Sequence, residues 1–333
     1  MVVLREGMCP GLDESLVRDL RSAEIKTVED LVSADVERLA QKCSVSYKAL
    51  FAIRRVLLAQ HAAFPVSAAD LYQELLSSTA ILSTGHPSLD QLLGSGLYTG
   101  ELTEVCGGPG SGKSQVCFGV SVHISLRLKQ RVVFIDTTGG FSATRLLQML
   151  QAETSSEEEQ TEALHRIHVF RAFDVFSLLD RLFQLHGGGF SQVCVGGGSV
   201  RAVIVDSVSA VISPLLGAKH GEGMSLMMQV GGPLKTIAKD FNMAALVTNH
   251  VTRSTSGEMK PGLGMSWSHV PRTRILLQRL DGSCSAPPST LRTGTLIKSS
   301  RQPCGTKVDL DLQQWTQGPD RLTGKRKLDQ TEP

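Results

Sequence analysis

Gly107-Gly108-Pro109-Gly110-Ser111-Gly112-Lys113-Ser114 decides how the rest of this chain is read. The stretch fits G-x-x-x-x-G-K-[ST], the pattern of a phosphate-binding loop. It lies between a short strand-like run, Leu102 to Cys106, and a segment from Gln115 to Leu128 with apolar residues at helical spacing. Strand, loop and helix in that order are the context the motif needs. Glycines let the backbone curl until successive N–H groups face a triphosphate, at a helix N-terminus whose partial positive charge favours anions. In this pattern Lys113 reaches the β and γ phosphates, and the Ser114 hydroxyl holds Mg²⁺.

Outward from the loop, strand and helix alternate. Arg131 to Asp136 reads as a buried strand, Ser142 to Gln151 as a helix, Ile167 to Phe170 as a strand and Phe173 to Leu185 as a helix. Ala202 to Asp206 and Met243 to Thr248 are further core strands. The order predicts an α/β fold with a mostly parallel twisted sheet and helices on both faces. Segments near Thr273 to Leu280, Leu291 to Lys298 and Thr306 to Leu312 extend the sheet as hairpins. Asp206 ends a Val/Ile run, where a P-loop site needs its second Mg²⁺ group. Gly223 to Phe241 has helical character, but Gly231-Gly232-Pro233 should break or kink it.

The ends differ from this core. Residues 1–60 carry apolar side chains at helical spacing (Leu12, Leu16, Leu20; Val28, Leu31, Val36, Leu39; Tyr47 to Leu58) and predict a small all-α domain. Residues 61–83 read as a linker with a short helix around Leu71 to Leu76, residues 84–315 as the core, and residues 316–333 as a disordered polar tail. Glu157-Glu158-Glu159 reads as a solvated helix face. Gly187-Gly188-Gly189 and Gly196-Gly197-Gly198 bracket a flexible surface loop.

A chain of 333 residues that is 41% hydrophobic supports a sizeable core and excludes wholesale disorder. The net charge of +2 is too small to announce a nucleic-acid binder, so any basic surface is local. Seven scattered cysteines without a C-x-x-C pair indicate neither a disulfide framework nor a zinc site, and suit a reducing compartment. No apolar run approaches a membrane span, and Met1 to Pro10 lacks the features of a signal peptide.

Four segments together resemble the RecA-like DNA recombinases: the P-loop with Ser114-Gln115, Phe134-Ile135-Asp136-Thr137-Thr138-Gly139-Gly140-Phe141, Val203-Ile204-Val205-Asp206-Ser207, and Leu246-Val247-Thr248-Asn249-His250. A small helical domain ahead of the core matches the eukaryotic and archaeal branch. Leu31 to Asp35, Ser46 to Leu50, Pro214 to Gly217 and Lys298 to Pro303 look like its D-type paralogs. The resemblance covers residues 1 to about 315. It implies ATP and Mg²⁺ as cofactors, single-stranded DNA as polymer ligand, a hetero-oligomeric complex with other recombinase paralogs, and a nuclear role in homologous recombination repair of double-strand breaks and crosslinks.

Carried over residue by residue, Arg145 packs on adenine, and Asn249 with His250 senses the γ-phosphate, a place where the family usually has Asn-Gln. Thr138 stands where the family carries a catalytic glutamate. A threonine hydroxyl is far too weakly basic to deprotonate water near neutral pH, so the expectation is ATP binding with weak or partner-dependent hydrolysis. Glu101 and Glu104 are the nearest other carboxylates in sequence. The segment Thr252 to Val270 falls at the family's second DNA-binding loop. From Arg253 to Arg274 there are four cations, Arg253, Lys260, Arg272 and Arg274, against one acid, Glu258, with Trp267 as an aromatic platform for a base. The first loop, Pro214 to Gly223, offers only Lys219 and His220. The helical domain resembles a helix-hairpin-helix with Ser44 in place of the hairpin glycine. Phe64-Pro65-Val66-Ser67-Ala68 loosely resembles the Phe-x-x-Ala plug by which recombinases polymerise, which implies defined hetero-oligomers. Lys325-Arg326-Lys327 reads as a nuclear address or as a solubilising cluster.

Three other classes compete. A GTPase would use Asp136 to Gly139 as D-x-x-G and Thr306 to Asp309 as T-K-x-D, but the alternation of Val308, Leu310 and Leu312 with polar residues makes the latter a strand. A DNA-stimulated, helicase-like motor of RecA type requires robust hydrolysis, against which Thr138 argues. A nucleotide-stabilised adaptor without direct DNA binding would lose its partner, and no DNA contact, on Lys113→Ala.

Overall fold

The run Val132-Val133-Phe134-Ile135 accounts for the architecture. Successive strand side chains point to opposite faces, so Val132 and Phe134 enter one helical layer while Val133 and Ile135 enter the other. All four are at most 1% exposed, which only a sheet covered on both sides permits. The structure, a computed structural model, describes residues 2–61, 65–190, 199–216, 222–253, 259–279 and 290–316.

The chain divides into two units, Met1–Glu74 and Leu75–Pro333. The first holds α1 (Glu14–Ser22), α2 (Val28–Ser33), α3 (Val36–Lys42) and α4 (Tyr47–His61). Asp13 and Asp35 cap α1 and α3, and Thr27 with Asp30 forms a capping box on α2, so each start is fixed by local hydrogen bonds. Leu16, Leu20, Leu31, Leu39, Leu50 and Leu57 share its core. Ser44 makes the α3–α4 turn at φ 53°, the left-handed conformation that a glycine takes at lower cost. Spanning the division between the units in sequence, α5 (Ala68–Ser78) is longer than the short helix expected there, and none of its residues is buried.

The second unit opens with a two-stranded sheet, β1 (Ile81–Leu82) with β2 (Leu97–Tyr98), around α6 (Pro87–Leu93). There follow β3 (Leu102–Gly107), α7 (Lys113–Leu126), β4 (Arg131–Asp136), α8 (Ala143–Glu153), α9 (Glu157–His165), β5 (Ile167–Arg171) and α10 (Val175–Gln184). Then come β6 (Val200–Asp206), α11 (Val208–Leu216), α12 (Glu222–Asp240) and β7 (Ala244–Asn249). A hairpin of β8 (Val251–Arg253) with β9 (Met259–Pro261), a turn of helix α13 (Gly264–Trp267), β10 (Thr273–Arg279), β11 (Leu291–Lys298) and β12 (Lys307–Asp311) complete it. The main sheet has the order β12-β11-β10-β3-β7-β6-β4-β5. Its strands from β10 to β5 run parallel, and β11 and β12 add antiparallel at one edge, as expected. Since Thr306 to Asp309 leads into and forms part of β12, it is no base-reading loop.

Local expectations fare differently from one another. Gly231-Gly232-Pro233 does not break α12, which runs unbroken from Glu222 to Asp240. Gly231 lets the helix press on the segment after α13, since a Cβ there would lie 2.9 Å from Val270 and 3.4 Å from the Trp267 ring. Pro233 has no N–H for the Gln229 carbonyl, and Gln229 is an exposed residue of the helix. Pro214 lies inside α11, so the expected first loop is helical up to Leu216 and again from Glu222. Gly187 to Gly189 form a π-type turn after α10, anchored by Phe190 against Phe241 at 4.8 Å. The glutamates Glu157, Glu158 and Glu159 are exposed in the first turn of α9, where they suit the helix dipole. Phe64, Gly196 to Gly198, Gly217, Lys219, His220 and the tail with Lys325 to Lys327 lie outside the described residues.

After β12, Trp315 folds back over α7. Its indole N–H donates to Thr84 O at 3.3 Å, its ring meets His86 edge-on at 5.1 Å, and it covers Gly119, where a Cβ would come within 2.3 Å of the ring. Trp315→Ala should lower the unfolding free energy by about 3–5 kcal/mol. Urea denaturation of the full chain reads this, and an unchanged midpoint would contradict it.

Candidate functional site

The carboxyl ends of β3, β7, β6 and β4 lie side by side, and the motif residues converge there. Gly107 closes β3, the loop Gly108, Pro109, Gly110 and Ser111 follows, and Gly112 turns the chain into α7 at φ 100°. That conformation favours glycine, and a Cβ at Gly112 would also lie 2.5 Å from Leu312. Lys113 is 8% exposed and donates from Nζ to the carbonyls of Gly107 at 2.9 Å and Gly108 at 3.0 Å. Burial pushes its pKa down, and the nearby Asp206 carboxylate opposes that shift. Ser111 Oγ is buried with no hydrogen-bond partner among the described residues.

Arg292 of β11 supports the loop from behind, a role that no motif announces. Its Nε donates to Ser111 O at 3.2 Å and its Nη2 to Gly110 O at 3.3 Å. Holding those carbonyls leaves the opposite, N–H side of the loop for an anion.

Asp206 ends β6 directly beside Asp136, accepts from Thr248 Oγ1 of β7 and is 7% exposed. Ser114 is the second residue of α7 and Asp206 ends the strand two places along the sheet, an oxygen pair of the type Mg²⁺ uses together with phosphate oxygens. Arg145 on α8 donates to Gln115 Oε1 at 2.9 Å, which holds it next to the start of α7. Taken together, a helix N-terminus, a buried lysine, a loop with braced carbonyls and a hydroxyl–carboxylate pair fit a nucleoside triphosphate with its metal.

Asn249 and His250 occupy the end of β7 but face differently. Asn249 is fully buried, and its amide donates to Glu104 Oε1 at 2.8 Å. His250 is exposed, with its N–H on Ser209 Oγ at 3.1 Å. Desolvation, then the Lys113 ammonium, lower the His250 pKa, so its ring is neutral near pH 7.

Thr138 is exposed just past β4. Its N–H and hydroxyl both turn to Asp136 Oδ1, at 3.0 and 3.3 Å, so Asp136 is spent on this turn, which it also caps at Gly139, Gly140 and Phe141. Neither alternative carboxylate is at hand. Glu101 sits at the amino end of β3, paired with Arg301 at 2.6 Å and Arg272 at 3.2 Å. Glu104 is fully buried and faces Trp267, Asn249 and Arg274.

The expected DNA-contacting set divides. Arg253 and Lys260 stand exposed on β8 and β9, a hairpin that leaves the carboxyl end of β7 on the nucleotide side. Arg272 belongs elsewhere: its N–H bonds Leu102 O at 2.8 Å, the length of β3, roughly 16–20 Å, from Gly107. Trp267 is 0% exposed and donates to Glu104 Oε1 at 2.8 Å, so it offers no face to a base. Arg274, 6% exposed, is ion-paired with Glu104. A buried tryptophan in a polar segment has the same sequence signature as an exposed one, so the sequence does not separate the two.

The sequence matches known proteins. A family model described as Rad51 matches residues 76–285, and one described as RAD51D, N-terminal domain, matches residues 1–60. The chain is 55% identical over 313 residues to DNA repair protein RAD51 homolog 4 of Bos taurus, covering 94% of this chain and 95% of the relative. It is 54% identical to the protein of that name from Mus musculus over the same shares. It is 25% identical to DNA repair and recombination protein RadA of Aeropyrum pernix, over 82% of this chain and 86% of that one.

Proposed function

The chain belongs to the Rad51 family as a D-type paralog of the RecA-like recombinases, a protein of DNA repair and recombination, and from that premise we propose that it is an ATP-binding subunit that engages single-stranded DNA within a complex of recombinase paralogs. The observation that carries the reading is the shared end of the sheet: the P-loop, Asp206 and the foot of the Arg253–Lys260 hairpin all occupy the carboxyl ends of neighbouring strands. Lys113, Arg145, Ser114 and Asp206 bind and orient the nucleotide and Mg²⁺. Bound ATP supplies charge and a rigid template at that end. Without a base at Thr138, its role here is to set conformation more than to turn over.

Assembly with other paralogs is supported by Phe173, just after β5, and by Phe176 and Phe183 of α10, which are 61%, 67% and 57% exposed, large apolar side chains of the kind that partners cover. We place the protein in the nucleus with its relatives' repair role. Among the described residues no helix is long and apolar enough to cross a membrane.

The test is anisotropy of a labelled oligothymidylate titrated with the chain in the presence of a non-hydrolysable ATP analogue across a salt series. Arg253→Ala with Lys260→Ala should weaken binding by about tenfold and reduce the slope of log affinity against log salt by about two. A double variant that binds like the wild type would sink the DNA part of the reading.

A further inference from the structure

Glu104 is a carboxylate without solvent contact, three positions ahead of Gly107 in β3. It accepts from three elements at once: Asn249 Nδ2 at the end of β7 at 2.8 Å, Trp267 Nε1 of α13 at 2.8 Å, and Arg274 Nε of β10 in a close ion pair. Arg274 is its direct cross-strand partner, so the charge is matched within the sheet. Two of these partners keep a buried atom unused. Asn249 Oδ1 and Arg274 Nη2 have no hydrogen bond among the described residues.

The tethered elements have one thing in common. Asn249 is where the chain leaves the sheet toward β8, and Trp267 lies where it comes back after β9. Both legs of the segment that carries Arg253 and Lys260 are therefore tied to one carboxylate. Trp267 is held on its other side, because Gly231 of α12 packs against its ring and against Val270.

Resting on the nucleotide reading of the site, we propose that Glu104 is a positioning residue that locks Asn249 and Trp267 into one unit, so that the phosphate end of β7 and the cationic hairpin are set together. Asn249, the last residue of β7, is the member whose amide can exchange Glu104 for a new acceptor at the site. Trp267 and Arg274 then keep Glu104 paired, so the exchange strands no buried charge.

The experiment uses the full chain as wild type, Glu104→Gln and Trp267→Phe. Trp267→Phe removes one donor and leaves the Glu104–Arg274 pair intact, so it decides the matter if Glu104→Gln does not fold. Amide hydrogen exchange without ligand is read on residues 249–253 and 259–270, with β4 and β6 as the control for global stability. Both segments should exchange about tenfold faster in either variant while β4 and β6 stay unchanged. Next, the factor by which a non-hydrolysable ATP analogue changes oligothymidylate affinity is measured. It should fall by about tenfold in the variants while each ligand alone binds within about twofold of wild type. Wild-type exchange in both segments, acceleration of only one, or a coupling factor that survives would overturn the proposal. Absence of nucleotide binding by the wild type would instead refute the nucleotide reading, and the exchange data would still decide whether Glu104 joins the two legs.

Discussion

Thr138→Glu should raise ATP turnover by roughly 10²–10⁴-fold over the wild-type chain, the usual contribution of a positioned general base. The site has what such a residue needs. Thr138 is exposed beyond β4, and Asp136 holds the turn around it by accepting from Thr138, Gly139, Gly140 and Phe141. β4 itself runs beside β6 with Asp136 level with Asp206. A glutamate here adds an acceptor without disturbing a packed side chain. Neither of the nearest other carboxylates in sequence is a substitute, since Glu101 is paired at the other end of β3 and Glu104 is buried. Phosphate release under saturating Mg-ATP, with and without oligothymidylate, measures the gain. Unchanged turnover in a variant that still binds ATP would mean that the attacking water is not held opposite the γ-phosphate near residue 138, and that Thr138 does not mark a lost base.

Lys113→Ala should weaken ATP binding by roughly 10²–10³-fold, equivalent to about 3–4 kcal/mol for charge-assisted hydrogen bonds from a buried ammonium. Lys113 now spends two donors on the Gly107 and Gly108 carbonyls. Its loss therefore relaxes loop contacts but strands no carboxylate, because Asp206 keeps its bond from Thr248. Thermal unfolding separates the two effects. The variant's transition without nucleotide should lie close to wild type, while the rise produced by ATP disappears. A variant that retains an ATP-dependent rise would remove the P-loop from the nucleotide reading.

How much of this is legible in sequence depends on whether a residue's role is local. The loop from Gly107 to Ser114 is legible because its function is a backbone shape that needs glycines at fixed places. Asp206 is legible because it interrupts an apolar run at a strand end, and the strands themselves because burial on two faces leaves unbroken Val/Ile runs. Roles that depend on distant partners are hidden. Arg292 braces the P-loop from a strand that follows it by more than half the chain, and nothing near it in sequence marks it. Trp267 and Arg274 look like DNA ligands beside basic residues and are instead buried, each bonded to Glu104. One signal was available: Glu104 lies within an apolar strand, and a charge there demands a buried partner. Gly231-Gly232-Pro233 misleads for a related reason. Tertiary contact with Val270 and Trp267 outweighs local helix propensity.

The return of Trp315 onto Gly119 and Thr84 bears on how sequence changes in this chain should be interpreted. Every group proposed for ligand chemistry is encoded before Arg292 or at it, yet the helix that begins with Lys113 is covered from the outside by a side chain that comes later still. A premature stop shortly before codon 315 would leave the whole chemical inventory intact and still expose the flank of that helix. Such a truncation belongs with folding defects, and the amount of protein that accumulates, more than its specific activity, is the quantity by which it should be judged.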